Sequence, residues 1–267
     1  MLNTSPKVPA DTTTSQRELL RRYYDAVAAV SDQAVHAHLL EELLQTVVRL
    51  SRTVNQLLRN TLPREVADEI KRTGAYTPRL HDCTILFTDL VGFSGLSKLL
   101  SVRELNRVLH ELFSEFDDTV AQFGGTKIKT IGDAYMAVFG APGALEDHAT
   151  AAVEAGLAMQ RALGVYSHGQ GLNLAMRVGI HSGEAMGCVV GKERIQFDVF
   201  GDNVNIAARF ESSGAAGRVN ISAATRERLG GRFMVAERGA VPLKNMAPML
   251  AFCVSDDGTA GSAETPR

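Results

Sequence analysis

No glycine occurs before Gly74, and no proline lies between Pro9 and Pro63. These residues are the strongest breakers of helical structure, so a stretch this depleted in both is committed to a long helix. Ser15-Gln16-Arg17-Glu18 has the form of a capping box that starts it. Apolar residues then recur at Leu19, Tyr23, Ala26 and Val30, and again at Leu40, Leu43, Val47, Leu50, Val54 and Leu57. The steps alternate between three and four, which is a heptad-like seam. Ser31 to His38 is polar and marks a point where the helix can break. The favoured reading of residues 16–74 is a helical stalk that pairs in parallel as a coiled coil. A helical hairpin packed on its own domain is the alternative. Residues 1–15 are polar and are expected to be disordered.

All 24 glycines fall in the remainder of the chain, where a different architecture is therefore expected. Pro63 to Ile70 reads as a short helix with proline in its first turn, closed by Gly74. Ala75 to Leu80 reads as a linker, and a globular α/β region spans residues 81–254. Thr84 to Phe87 is a buried strand. Ser101-Val102-Arg103-Glu104 is a second capping box, opening a helix whose apolar face is Leu105, Leu109, Leu112, Phe116, Val120 and Phe123. Lys127 to Ile131 and Ala134 to Phe139 form two strands about a Gly132-Asp133 turn. A further helix carries Ala149, Ala152, Gly156, Met159 and Leu163. Leu172 to Ile180, Ile195 to Phe200 and Met249 to Val254 read as strands, and Val204 to Glu211 as a helix. Residues 255–267 are small and polar and are expected to be disordered.

Composition narrows the class of partner. Against 28 Lys and Arg stand 30 Asp and Glu, a net charge of −2, which disfavours a nucleic-acid binder. No apolar run approaches the roughly 18 residues of a membrane span, and the N-terminus lacks a signal-peptide core. Cys83, Cys188 and Cys253 are odd in number and far apart, which fits free thiols in a reducing cytoplasm. None of the seven histidines has metal-motif spacing.

The chemistry-bearing residues cluster at strand ends. Asp89 directly follows the Thr84–Thr88 run, and Asp133 sits in the turn between two strands. Strand-end carboxylates can share a divalent cation, and Mg²⁺ favours a few carboxylates together with phosphate oxygens. Leu90-Val91-Gly92-Phe93-Ser94-Gly95 follows, a glycine-bearing turn entering a helix. Its backbone N–H groups suit an anion. Each feature alone also reads as a turn former or helix cap.

Three segments together say more. Phe87-Thr88-Asp89-Leu90-Val91-Gly92-Phe93-Ser94, Lys129-Thr130-Ile131-Gly132-Asp133-Ala134-Tyr135-Met136-Ala137, and Asp198-Val199-Phe200-Gly201-Asp202-Asn203-Val204-Asn205-Ile206-Ala207-Ala208-Arg209 closely resemble the signature segments of class III nucleotide cyclases. They occur in that family's order, and the resemblance covers about Leu80 to Val254. It implies an α+β fold with a ferredoxin-like βαββαβ core, here preceded by a long helix, and active sites at a homodimer interface.

The resemblance also implies roles. Asp89 and Asp133, with the Leu90 backbone carbonyl, match the metal ligands for two Mg²⁺ ions, with Mn²⁺ able to substitute. Gly92, Phe93 and Ser94 match the phosphate turn. Asn205 matches the residue that orients the ribose, and Arg209 the cation at the α-phosphate. Lys129 and Asp198 match the base-reading pair. Lysine donates and aspartate accepts, which complements the N1 acceptor and N6 donor of adenine. Guanylyl members carry Glu and Cys there. ATP is therefore the expected substrate, with cyclic AMP and pyrophosphate as products. Arg218 and Lys244 match residues that contact the outer phosphates, although Asn245 stands where the family usually has glycine. A guanylyl cyclase and a catalytically silent dimerising module are the alternatives. A diguanylate cyclase is disfavoured by the missing Gly-Gly-Asp/Glu-Glu-Phe signature. The input is expected from a partner or an upstream sensor acting through the stalk.

Overall fold

The computed structural model of the protein describes Arg22, Asp25, residues 33–242 and residues 247–255. The Ser15 capping box, residues 1–15 and residues 256–267 lie outside these. The chain divides into two compact units between Asn60 and Thr61. The first contains all but the last residue of α1 (Gln33–Thr61), a continuous helix, so the break allowed at Ser31 to His38 does not fall at or after Gln33. Leu40, Leu43, Val47, Leu50 and Val54 of the heptad seam are all exposed along it. Among the described residues, no helix is long and apolar enough to cross a membrane.

The second unit opens with α2 (Arg64–Thr73). Pro63 stands one position earlier than expected, at the N-cap, and Gly74 closes the helix at φ 86° by donating its N–H to the Ile70 carbonyl at 2.8 Å. Val66 and Ala67 are fully buried. The segment expected to be a linker is pinned. Glu69 accepts from the Thr77 amide at 3.0 Å and pairs with Arg79, whose Nε donates to the Tyr76 hydroxyl at 3.2 Å.

One mixed sheet organises the rest. Its strands are β1 (Arg79–Val91), β2 (Thr126–Ile131), β3 (Ala134–Phe139), β4 (Ala175–Val190), β5 (Gln196–Phe200), β6 (Val219–Ser222), β7 (Met234–Val241) and β8 (Met249–Ser255). The helices between them are α3 (Phe93–Leu99), α4 (Val102–Gln122), α5 (His148–Gln170), α6 (Asp202–Ser212) and α7 (Ala223–Arg228). The spatial order is β2-β3-β1-β4-β6-β8-β7, with β5 paired to the far end of β4. The first four strands with α4 and α5 form the expected ferredoxin-like βαββαβ core. β1 and β4 run well beyond the segments read from sequence, paired antiparallel from Arg79 opposite Gly187 to Val91 opposite Ala175. β6, α7 and β7 were not foreseen.

The two faces of the sheet are covered differently. On one, α4 lays down Val108, Leu112, Phe116 and Val120 against Leu86, Tyr135, Ala137 and Phe139. Each large apolar side chain buried there contributes about 2 kcal/mol. The expected Ser101–Glu104 capping box fixes the start of α4, with the Ser101 N–H donating to Glu104 Oε2 at 2.8 Å. α5 packs beside it, where Gly156 approaches Val178 and Ile180. Side chains alternate along a strand, so Arg177, Gly179 and His181 point to the other face. There α6 lies directly on β4, with Phe210 and Ile206 buried under it. A Cβ on Gly179 would stand 1.9 Å from the Glu211 backbone nitrogen, and one on Gly183 2.6 Å from the Asn203 amide. Gly179→Ala must therefore displace α6, and we expect a loss of about 3 kcal/mol in urea denaturation. Wild-type stability in this variant would refute the close packing of α6 on β4.

Candidate active site

The β1–β3 and β1–β4 registers bring the expected carboxylates together. Asp89 sits opposite Ala134, and Asp133 immediately precedes Ala134 in the Gly132-Asp133 turn. Gly132 adopts φ 65°, which a two-residue reversal there requires and which glycine adopts without strain. Leu90 follows Asp89 with its side chain in the core. The next turn places Gly92 at the N-cap of α3, with Phe93 and Ser94 in its first turn, whose N–H groups have no partner within the helix.

Two residues that the sequence reading missed complete this corner. Arg177, directly opposite Asp89 on β4, forms an ion pair with it and donates Nε to Glu211 of α6 at 3.0 Å. Burial raises the pKa of Asp133 above the ordinary carboxylate range, and the charge of Asp89 adds to this. Burial likewise raises Glu211, with Asp89 and Asp133 contributing, against the opposing pull of Arg177. Asp89 and Glu211 thus share one guanidinium, with the charge of Asp133 nearby. A charged residue inside the apolar Leu174–Ile180 run was the available signal for Arg177.

This donor set suits a hard divalent cation. Among the described residues, no group of three or more His, Cys, Asp and Glu side chains could hold a metal by itself. Two aspartates leave coordination positions for phosphate oxygens, which is the habit of Mg²⁺.

Lys129 and Asp198 meet through an irregularity in β2. Lys127 pairs with Ala137 and Lys129 with Met136, so the ladder carries one extra residue at Ile128. Residues two apart on a regular strand share a face, whereas here they do not. Lys127 turns to the α4 side, donating to Asp117 at 2.8 Å. Lys129 turns to the opposite face and pairs with Asp198 of β5, which is only 5% exposed. Gln196 Nε2 donates to the Ile128 carbonyl at 3.1 Å and ties β5 to the bulge.

Asn205 and Arg209 lie one turn apart on the outer side of α6, both exposed. Among the described residues neither side chain has a hydrogen-bond or ionic partner. Arg218 stands in the exposed turn before β6. Its backbone bonds to Ala215, Gln160 and Asn220, so the structure does not tie it to the other candidates. Lys244 lies outside the described residues. Cys83 and Cys188 are buried and Cys253 half-buried, and all three are free; burial pushes the Cys83 thiol up to about 12.

Residues 75–256 match the family described as the adenylate and guanylate cyclase catalytic domain. An adenylate cyclase of Mycobacterium tuberculosis (strain ATCC 25618 / H37Rv) is 34% identical over 198 residues, covering 73% of this chain and 45% of that protein. Atrial natriuretic peptide receptor 2 of Homo sapiens is 34% identical over 220 residues, covering 80% of this chain and 21% of the receptor. The chain thus spans less than half the length of these curated relatives. Among solved structures, the adenylyl cyclase CyaB from P. aeruginosa superposes with a TM-score of 0.65 at 29% identity, covering 68% of this chain and 97% of that one. The guanylate cyclase domain of RhGC from Catenaria anguillulae, in complex with GTP, gives a TM-score of 0.64 at 30% identity, covering 66% and 98%.

The raised pKa of Asp133 has a signed consequence. Its ionised form is disfavoured in the folded chain, so its favourable contribution to stability is present at low pH and lost as pH rises through the raised value. At neutral pH in a chelator, Asp133→Asn is therefore expected to melt no lower than wild type. Saturating Mg²⁺ should raise the wild-type Tm by about 3 °C and leave the variant unmoved. Equal Mg²⁺ stabilisation of both proteins would remove Asp133 from the cation site.

Proposed function

This chain belongs to the adenylate and guanylate cyclase catalytic domain family, and from that membership we propose that it is an adenylyl cyclase, forming 3′,5′-cyclic AMP and pyrophosphate from ATP at sites shared by two subunits of a homodimer. The observation that carries the choice of base is the Lys129–Asp198 pair, a donor beside a buried acceptor. Adenine presents the complementary acceptor and donor, whereas guanine would leave both protein groups mismatched. Unpaired buried polar groups make such discrimination steep.

The remaining residues divide the chemistry. The first-turn amides at Gly92, Phe93 and Ser94 receive phosphate oxygens at the positive end of α3. Asp89 and Asp133, with the Leu90 carbonyl, would hold two Mg²⁺ or Mn²⁺ ions, which would supply positive charge against the triphosphate and lower the pKa of the ribose 3′-hydroxyl. Asn205 orients the ribose, so that O3′ lies in line with the α-phosphorus. The 3′-hydroxyl gives up its proton to solvent, a new O3′–P bond forms, the bond to the bridging oxygen breaks, and pyrophosphate leaves. Arg209 meets the charge that develops on the α-phosphate. Arg177 offers a cation at the metal end. Arg218 and Lys244 are assigned to the outer phosphates by the resemblance alone.

Dimerisation is supported by what a single chain leaves exposed. Asn205 and Arg209 face outward. Ile131, Met186, Val190 and Phe200 are each at least 40% exposed, an apolar surface suited to a second copy. The exposed seam of α1 suits a parallel coiled coil through which a partner or upstream sensor sets the relation of the two catalytic domains. The proposed setting is the cytoplasm, where ATP is available.

Two experiments test this reading. Lys129→Glu with Asp198→Cys should lower kcat/KM for ATP by about 10²-fold and shift the ATP-to-GTP ratio toward GTP. An unchanged ratio in a folded double variant would sink the base assignment and leave a guanylyl cyclase as the alternative. Mixing inactive Asp89→Ala chains with inactive Arg209→Ala chains should restore activity, because each mixed dimer holds one intact site. No recovery despite demonstrated mixed dimers would rule out shared sites.

A further inference from the structure

Two buried histidines stand outside the candidate site, at opposite ends of a run of buried hydroxyls. His181, on the β4 face that receives α6, places Nε2 2.9 Å from Asn203 Oδ1 and Nδ1 2.7 Å from Ser222 Oγ. Its ring stacks on Phe210 of α6 with 13° between the planes. From Ser222 the chain of contacts continues to Thr225 Oγ1 at 3.2 Å, then to Ser182 Oγ at 3.0 Å and Thr84 Oγ1 at 2.7 Å. Thr84 reaches His148 Nδ1 at 2.7 Å. His148 opens α5 on the opposite side of the sheet, and its Nε2 lies 3.1 Å from Arg228 Nη1. The same Nη1 holds both Asp82 oxygens at 2.8 Å. All four hydroxyl-bearing residues are essentially inaccessible to solvent.

The two ends fix where every proton in this run must be. Asn203 Nδ2 donates to the Glu184 carbonyl at 2.8 Å, and a carbonyl can only accept. Asn203 Oδ1 therefore faces His181, and His181 Nε2 must carry the proton. At the other end His148 Nε2 lies 3.8 Å from Asp82 Oδ2, beyond hydrogen-bond reach, and 3.1 Å from Arg228 Nη1; a guanidinium can only donate, so Nε2 is bare and Nδ1 carries the proton. Burial pushes both imidazoles below their ordinary range, in keeping with neutral rings. One ring proton each then leaves a single consistent direction. His148 donates to Thr84, Thr84 to Ser182, Ser182 to Thr225, Thr225 to Ser222, Ser222 to His181, and His181 to Asn203. The Thr225 hydroxyl has the Ile180 carbonyl as a weaker alternative at 3.5 Å.

We infer that this one-directional chain of hydrogen bonds makes His181, Thr84 and His148 positioning residues for α6, holding the helix that carries Asn205 and Arg209 in its working pose from the far side of the sheet. The catalytic part of the inference rests on the cyclase reading; the mechanical part does not. Asn203 is two residues from Asn205 on a helix of eleven residues, so rotation at Asn203 re-aims the outer face directly. An apolar contact at Phe210 resists lifting of α6 but fixes its rotation only weakly. A hydrogen bond of defined polarity constrains both.

The test uses the full chain with Thr84→Val, which keeps the side-chain shape and removes the hydroxyl, and Thr84→Ser, which restores it. ¹⁵N NMR of histidine-labelled wild type should show His181 as the Nε2–H tautomer and His148 as Nδ1–H. Two identical tautomers, or a charged ring at neutral pH, would overturn the chain. Amide hydrogen exchange of Ile206 to Phe210 should speed up about tenfold in Thr84→Val and return to within about twofold of wild type in Thr84→Ser. Unchanged exchange in Thr84→Val would overturn the mechanical claim, whether or not the wild type turns over nucleotide. In active protein, Thr84→Val should lower kcat about tenfold with KM within about twofold, and Thr84→Ser should recover it. Faster exchange in Thr84→Val with unchanged kcat per folded molecule would overturn the catalytic claim alone. A wild type without turnover in the presence of Mg²⁺ or Mn²⁺ would refute the cyclase reading and leave the NMR and exchange results to decide the rest.

Discussion

The contact of α6 with β4 is the constraint from which the site follows. Two residues on one strand face, Gly179 and Gly183, lack the side chains that would hold a helix at the usual distance from a sheet. Because α6 comes so close, Glu211 reaches Arg177 and Asn203 reaches His181. Neither bond could form across a layer of ordinary apolar side chains. The same closeness leaves only Ile206, Ala207 and Phe210 buried on the inner side of α6 and turns Asn205 and Arg209 outward. A helix held this way is oriented by polar contacts at both ends as well as by burial, which fits the substrate-facing role proposed for its outer residues.

Charge at the far end of the sheet is deliberately unbalanced. Among the described residues, Asp89, Asp133 and Glu211 face the single cation of Arg177. A structural ion-pair network would bring charges nearer to parity, since unpaired buried charge is costly. Burial raises Asp133 and Glu211, the neighbouring carboxylate charge adds to it, and both effects favour an arriving cation. Arg177 is also bonded to both β1 and α6, so the cation corner and the helix of Asn205 and Arg209 share one guanidinium. Coordinating a metal at Asp89 would compete with that pairing and so acts on α6 as well.

Much of this was legible in the residues. The capping box at Ser101, the Gly132-Asp133 turn and the absence of breakers between Pro9 and Pro63 each rest on local chemistry, and local chemistry survives folding. Asp89 and Asp133 could be placed because strand ends and turns are written in short-range patterns. The lengths of β1 and β4 could not be read, because their outer halves alternate with polar and small residues and are held by pairing with each other. β6, with four residues, is too short to show a period, and β7 is mostly exposed and therefore weakly patterned. Arg177 was hidden for a related reason. It lies within an otherwise apolar strand, and only the cross-strand register makes it the partner of Asp89. The buried histidines were passed over because sequence spacing tests for metal sites, whereas their partners come from four separate elements.

The Lys129–Asp198 pair shows how far residue type alone falls short. Lys127 and Lys129 are chemically identical and two positions apart, so a regular strand would direct both to the α4 side or both to β5. The extra residue at Ile128 separates them. One lysine becomes part of a packing arrangement with Asp117 and Tyr135, and the other meets Asp198. The bulge is itself held from β5, since Gln196 donates to the carbonyl of Ile128. The donor and the acceptor are therefore fixed relative to each other by the backbone between them, before any nucleotide arrives. In the proposed reading, selectivity between two purines rests on that preset spacing as much as on the identity of the two side chains. A lysine free to swing to either face could satisfy the O6 acceptor of guanine as readily as the N1 acceptor of adenine.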